Sequence, residues 1–135
     1  MDRVFLDANV LFSAAYRPRA GLLRLWSLTD TVLCSSRYAL EEARINLEHE
    51  IQRNRLARIS RSIHLFDAAP RELPHGVSLP EKDLPILLAA IEAKATHLLT
   101  GDLRHFGSYF NKPIAGILVL TPGEYLKLTE KVRER

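Results

Sequence analysis

Four acidic side chains each sit beside an apolar run. Asp7 closes Val4-Phe5-Leu6, and Asp102 follows His97-Leu98-Leu99-Thr100-Gly101. Asp83 precedes Leu84-Pro85-Ile86-Leu87-Leu88-Ala89-Ala90, and Glu42 lies in Leu40-Glu41-Glu42-Ala43. In open α/β sheets, ligands gather at the carboxyl ends of strands. Several carboxylates brought together in a low dielectric repel one another strongly unless cations lie between them. Oxygen donors of this kind select hard cations such as Mg²⁺ or Mn²⁺, which keep waters and bind phosphate oxygens. Zinc would want His or Cys at ligand spacing, and the five histidines, at 49, 64, 75, 97 and 105, show none.

Taken singly, three of these acids have ordinary readings. Asp83 can cap the helix that Leu84 and Pro85 open, Asp102 can be a turn residue, and Glu42 can face solvent. Asp7 is different, because an otherwise apolar strand gains nothing by ending on a carboxylate unless something pairs with it. Asn9 is suited to capping or bridging near such a site. Ser13 and Thr100 can bond local backbone or steady a metal ligand. Arg17, Arg19, Arg104 and His105 flank the acid-bearing segments and suit phosphate contacts. Arg55, Arg58 and Arg61 read as a solvated helix face, and Trp26 as core or as a dimer contact.

The elements that must position these groups follow from the spacing of apolar residues. An apolar strand runs through Val4 to Leu11, with a loop or opening turn over 12–19. Apolar residues at helical spacing cover 21–28, and a second strand spans 31–35. Ser36 caps a helix over 36–44, and another helical stretch runs over about 51–63, at whose end Ile63-His64-Leu65-Phe66 could instead form a short strand. A connector with Pro70, Pro74, Gly76 and Pro80 spans 67–82. Asp83 opens a helix to Ala93, a strand covers 97–100, and a strand buried on both faces covers 116–121. Pro122-Gly123-Glu124 then starts a closing helix. Strands alternating with helices imply an α/β fold with a parallel, doubly wound sheet.

At 135 residues the chain reads as one domain over 1–135, large enough to bury a core without disulfides. The single Cys34 sits in an apolar run and reads as a reduced core thiol. The N-terminal residues resemble neither a signal peptide nor an anchor, and no apolar stretch approaches spanning length, so a cytoplasmic location without membrane contact is expected. A formal charge of +3 suits a polyanionic partner once the acids are set aside for a metal.

Three α/β chemistries of this size can be weighed against the motifs. Haloacid-dehalogenase-like phosphatases need a second acid where Asn9 stands. Receiver domains need a lysine after the last core strand, where Leu120-Thr121-Pro122 offers none, and no P-loop pattern occurs. Leu6-Asp7-Ala8-Asn9-Val10-Leu11-Phe12-Ser13-Ala14, Leu40-Glu41-Glu42, Lys82-Asp83-Leu84-Pro85-Ile86-Leu87-Leu88-Ala89-Ala90 and Leu98-Leu99-Thr100-Gly101-Asp102-Leu103-Arg104-His105-Phe106, in that order, resemble the four motifs of the PIN-domain nuclease family. Gly116-Ile117-Leu118-Val119-Leu120-Thr121-Pro122 resembles the closing strand of one bacterial subgroup. The resemblance covers essentially the whole chain and points to the small single-domain bacterial proteins of the VapC toxin type. It implies a three-layer α/β/α sandwich around a parallel sheet. It also implies Mg²⁺- or Mn²⁺-dependent hydrolysis of single-stranded RNA, with Asp7, Asp83, Asp102 and Glu42 as catalytic metal ligands, Glu42 directly or through water. Adjacent helical residues point about 100° apart, so Glu41 and Glu42 cannot both face the pocket, and the family pattern selects Glu42. Asn9, Ser13, Thr100, Arg104 and His105 are the expected substrate contacts. A homodimer and an antitoxin partner are further implications, with residues 21–28 or 51–63 as dimer contact. The alternative is a PIN fold that holds RNA or protein without cutting.

Overall fold

The structure is a computed structural model that describes residues 1–73 and 75–133, with the side chains of Leu103, His105, Val132 and Arg133 left out. At its centre β1 (Asp2–Leu6) pairs in parallel with β2 (Thr31–Ser35) on one side and β4 (His97–Leu99) on the other. With β3 (His64–Leu65), β5 (Pro113–Ile114) and β6 (Ile117–Leu120), the sheet order is β3-β2-β1-β4-β6-β5. The chain winds outward from β1 through β2 to β3, then returns to the far side of β1 at β4. The order therefore reverses between β1 and β4, which is where doubly wound sheets open a crevice at their carboxyl ends. Leu6 lies opposite Leu99, and Leu99 opposite Leu120, so Asp7 and Thr100 leave the sheet side by side.

The remaining elements are α1 (Ala8–Tyr16), α2 (Arg37–Asn46), α3 (Glu50–Ser60), α4 (Leu84–Glu92), α5 (Leu103–Phe106) and α6 (Pro122–Arg133). They make a three-layer α/β/α sandwich, with α1 packed on α2 and α3. Val4, Phe5, Leu6, Leu98, Leu99 and Val119 are fully buried in the sheet. Cys34 is buried too, as its apolar run implied.

Several expectations need correcting. The first strand stops at Leu6, and the run from Ala8 to Leu11 together with the first part of the expected loop, up to Tyr16, forms α1 instead. Buried Ala8, Leu11 and Ala15 recur at helical spacing, and Asp7 caps the helix. The apolar run crosses this boundary without a break, which hides it. Gly21–Ser27 is a 3₁₀ segment rather than an α-helix. The sheet is not wholly parallel, because β5 runs antiparallel to β6. Only Ala115 and Gly116 separate the two, with φ of 51° and 81°, and so short a connection can only turn the chain back. Arg55 does not simply face solvent. Its Nε donates to Ala15 O at 2.9 Å and an Nη to Tyr16 O at 2.8 Å, satisfying carbonyls at the end of α1. Of the two readings for 63–66, the structure takes the strand, and Trp26 donates its Nε1–H to Ile59 O at 2.9 Å. Among the described residues no helix is long and apolar enough to cross a membrane.

Candidate metal centre

Asp7 is the best-anchored of the four acids. Its backbone N–H continues the β1–β4 ladder onto Leu99 O at 3.1 Å. Its carbonyl accepts from Val10 and Leu11, and its Oδ1 accepts from Ala8 N at 2.7 Å, so it caps α1 with both main chain and side chain. Its Oδ2 accepts from the Thr100 hydroxyl at 2.8 Å and the Asn9 amide at 3.2 Å. The residue is 4% exposed. Burial above all, then repulsion from Asp83 and Glu42, pushes its pKa up to about 6, with the bonds from Thr100 and Ala8 pulling the other way.

Thr100 is the hub of this arrangement. Fully buried at the end of β4, it spends its one hydroxyl proton on Asp7 and accepts from Asn9 Nδ2 at 3.2 Å and Asp102 N at 3.0 Å. It was expected among the substrate contacts, but nothing of it reaches the surface, so its action is on Asp7 and on the backbone of Asp102. Asn9 bridges as expected, its Oδ1 accepting from Gly101 N at 2.8 Å. A Cβ on Gly101 would come within 3.4 Å of that same Oδ1, so the turn stays close to Asn9.

Asp83 approaches from the far side of the connector. It ends a 3₁₀ turn (Glu81–Asp83) and occupies the cap position of α4, yet its side chain makes no capping bond to that helix. It is 6% exposed and faces the same cavity as Asp7. Glu42 comes from α2 and also lines that cavity, whereas Glu41 lies on the outer face, where Arg44 holds it by bonds of 2.9 and 2.5 Å. The helical rotation between adjacent residues separates the two glutamates as the spacing requires.

The cavity holds about 410 Å³ and is lined by all four acids together with Asn9, Phe12, Asn46 and Lys82. A more open trough adjoins it, lined by Asn9, Ser13, Gly101, Asp102 and Arg104. The donor set is oxygen only, which suits Mg²⁺ or Mn²⁺ in kind. Among the described residues no three His, Cys, Asp or Glu side chains already converge as a closed ligand set, so the acids line the walls rather than meet at a point. The His105 side chain, the remaining expected contact, lies outside the described residues.

Three neighbours of the site were missed from sequence. The Asn46 amide donates to Glu42 O at 2.8 Å, Tyr38 OH donates to Lys82 O at 3.1 Å, and Lys82 itself lines the cavity. Tyr38 and Asn46 lie four residues either side of Glu42 on one helix, a spacing that places all three on one face. The Tyr38 phenol is pushed up by burial and by Glu42, Asp83 and Asp7.

No protein-family model matches the chain, and no curated protein matches it in sequence. Solved structures do share its architecture. FitAB bound to the IR36 DNA fragment superposes with a TM-score of 0.50 at 20% identity, over 88% of this chain and 94% of that one. FitAcB from Neisseria gonorrhoeae does so with a TM-score of 0.50 at 21% identity, over 89% of this chain and 98% of that one. The architecture, the switch-point cavity and these two likenesses together give the chain the fold of a PIN domain.

Proposed function

We propose that this protein is a Mg²⁺- or Mn²⁺-dependent endoribonuclease that hydrolyses phosphodiester bonds of single-stranded RNA. The observation that carries the reading is that Asp7, Glu42, Asp83 and Asp102 all line one cavity at the carboxyl ends of β1 and β4. They come from four separate stretches of chain, and repulsion from two of them, Asp83 and Glu42, helps raise the Asp7 pKa. A fold has no structural reason to gather four like charges in one cavity, and a divalent cation is the ligand that relieves them.

Such ions, when bound, generate a hydroxide nucleophile and stabilise the leaving oxygen, so no side chain need act as general base. The chain's own contribution is to hold the donors. Asp7 is the central ligand, kept in one orientation by Ala8, Thr100 and Asn9. Asp83 and Asp102 are its partners from the other walls, and Glu42 completes the set directly or through water. Thr100 and Asn9 are positioning residues whose hydrogen bonds fix the first ligand, the role that groups behind a metal ligand commonly serve. Arg104 and Ser13, along the adjoining trough, suit contact with the phosphate backbone.

As in the small bacterial PIN proteins that the motifs resemble, the protein acts as the toxin of a toxin-antitoxin pair, as a homodimer in the cytoplasm. The competing reading is a PIN fold that binds RNA or protein without cutting, and the open arrangement of the acids is the observation in its favour. Incubating the purified protein with a labelled single-stranded RNA in Mg²⁺, in Mn²⁺ and in EDTA separates the two. Cleavage that needs the metal and is lost in Asp83→Asn supports the enzyme. Binding without cleavage in either metal supports the silent module.

A further inference from the structure

Among the described residues, Lys82 is the one basic side chain lining the carboxylate cavity. It directly precedes the buried Asp83 but is itself exposed. Its backbone is tied to α2 through the bond from Tyr38 OH to its carbonyl at 3.1 Å, four residues before Glu42. Four acids share that cavity, yet among the described residues no carboxylate lies within 4.0 Å of its ammonium. The lysine is thus a cation held at the rim and not consumed by an internal ion pair.

A second cation, Arg104, lines the adjoining trough and not the carboxylate cavity. Ser13 and Gly101 line that trough with it, and Asn9 and Asp102 form walls of both spaces. The two spaces therefore join into one track. Lys82 lines the part that holds the acids, and Arg104 lines the part beyond the shared walls of Asn9 and Asp102. A compact anion could meet only one end. A chain of regularly spaced phosphates could meet both while passing one phosphate over the acids.

We infer that Lys82 and Arg104 hold backbone phosphates on opposite sides of the carboxylates, so that the site takes an extended single strand presenting at least three consecutive phosphates. The inference rests on the nuclease reading and adds to it a phosphate contact, a path for the strand and a minimum length. Lys82 is a point charge on a flexible stem, so its contact is to phosphate and carries no base preference.

The test is equilibrium binding by fluorescence anisotropy, using 5′-labelled oligoribonucleotides of about two and about eight nucleotides across a salt series. Ca²⁺ replaces Mg²⁺ to fill the oxygen-donor site while the strand stays intact, which a gel verifies. Each phosphate contact on a single strand contributes about 0.7 to the salt slope, which is worth about fourfold in affinity near ~0.15 M salt. Lys82→Gln should therefore bind the longer strand about fourfold more weakly, with a slope shallower by about 0.7, and Lys82→Arg should restore both. The shorter strand should bind weakly and be indifferent to Lys82→Gln. Melting temperatures should be the same for all three proteins, because the exposed ammonium supports no fold contact.

An unchanged slope in Lys82→Gln, with the wild type binding the longer strand, overturns the inference and leaves the nuclease reading standing. So does equal affinity for the two lengths. A wild type that binds neither strand defeats the nuclease reading, and the inference with it.

Discussion

Asp7→Asn in the metal-free protein should stabilise the fold at high pH and destabilise it at low pH. The wild-type carboxyl titrates at about 6 in the folded chain against an ordinary 3.8. Because the folded value is raised, the native state binds the proton more tightly than the unfolded chain does. Stability from this group is greatest below the ordinary value, falls as pH rises between the two values, and is flat above the folded one. At about 1.36 kcal/mol per unit, the ionised carboxylate costs the fold about 3 kcal/mol above neutrality. Asparagine never carries that charge. It keeps an oxygen for Ala8 N but turns an amide toward the Thr100 hydroxyl and the Asn9 amide, losing about 1 kcal/mol of hydrogen bonding. The net expectation near pH 8 is a gain of about 2 kcal/mol, or about 6 °C in melting temperature for a chain of this size. Near pH 3, below the ordinary value, only the lost bond remains and the variant should melt about 3 °C lower. Asp83 and Glu42, whose charges repel Asp7, are present in both proteins. Thermal melts by circular dichroism in EDTA at the two pH values read this directly. Excess Mg²⁺ near pH 8 should then reverse the order, because saturation at ~100 times Kd adds about 2.7 kcal/mol to the wild type and nothing to the variant. A variant that melts below wild type by the same margin at both pH values would refute the account of Asp7 as a buried, charge-repelled carboxylate. An equal response to Mg²⁺ in the two proteins would refute its role as a ligand.

The other predictions are more local. Glu42→Gln should cut RNA cleavage by more than about tenfold and shrink the metal-induced rise in melting temperature, while Glu41→Gln, outside the cavity, should stay within about twofold on both readouts. Thr100→Val removes the donor to Asp7 Oδ2 and the acceptor for Asp102 N, so it should cost about 1–3 kcal/mol in chemical denaturation and lower metal affinity about 10–100-fold, with Thr100→Ser recovering most of both. Ala115 holds a left-handed backbone at φ 51°, so Ala115→Asn or Ala115→Gly should raise stability by about 0.5–1 kcal/mol in the same assay without touching cleavage. Light scattering at micromolar concentration should give a dimer, and a monomer would remove the expected self-contact.

What was legible in the sequence was what one stretch of chain decides. Alternation of strands and helices gave the layers, the carboxylates at element ends picked out four acids that line one cavity, and the rotation between Glu41 and Glu42 put only one of them in it. The connector from 67 to 80 reads as irregular and is so among its described residues. What escaped depends on partners distant in sequence. Asp83 looks like a helix cap and Asp7 like a strand end, yet Asp7 makes the capping bond and the Asp83 side chain makes none to its helix. Local composition cannot make that distinction, because both residues stand directly before an apolar helix. The difference lies in ψ, 161° at Asp7 and −12° at Asp83, which the preceding strand and 3₁₀ turn impose. Likewise, nothing in the order Leu99-Thr100-Gly101 says that the hydroxyl turns inward to a carboxylate 93 positions earlier. The β1–β4 register does so by setting the two strand ends level.

That inversion also explains how the chain tolerates a buried acid. A carboxylate in this position would escape its desolvation cost by swinging outward or by holding its proton. Swinging out is blocked by a cap bond on Oδ1 and two bonds on Oδ2, each from a group that the sheet or α1 already fixes. Those same bonds favour the charged form and limit the rise in pKa, so near neutral pH Asp7 stays mostly ionised despite its burial. Asp83 and Glu42, which share its cavity, add to the repulsion and cannot relieve it. The fold thus maintains an unfavourable negative charge at the sheet's switch point, one whose energy an outside cation would lower. For the same reason, a change behind Asp7, at Thr100 or Asn9, should weaken metal binding even though neither residue need touch the ion.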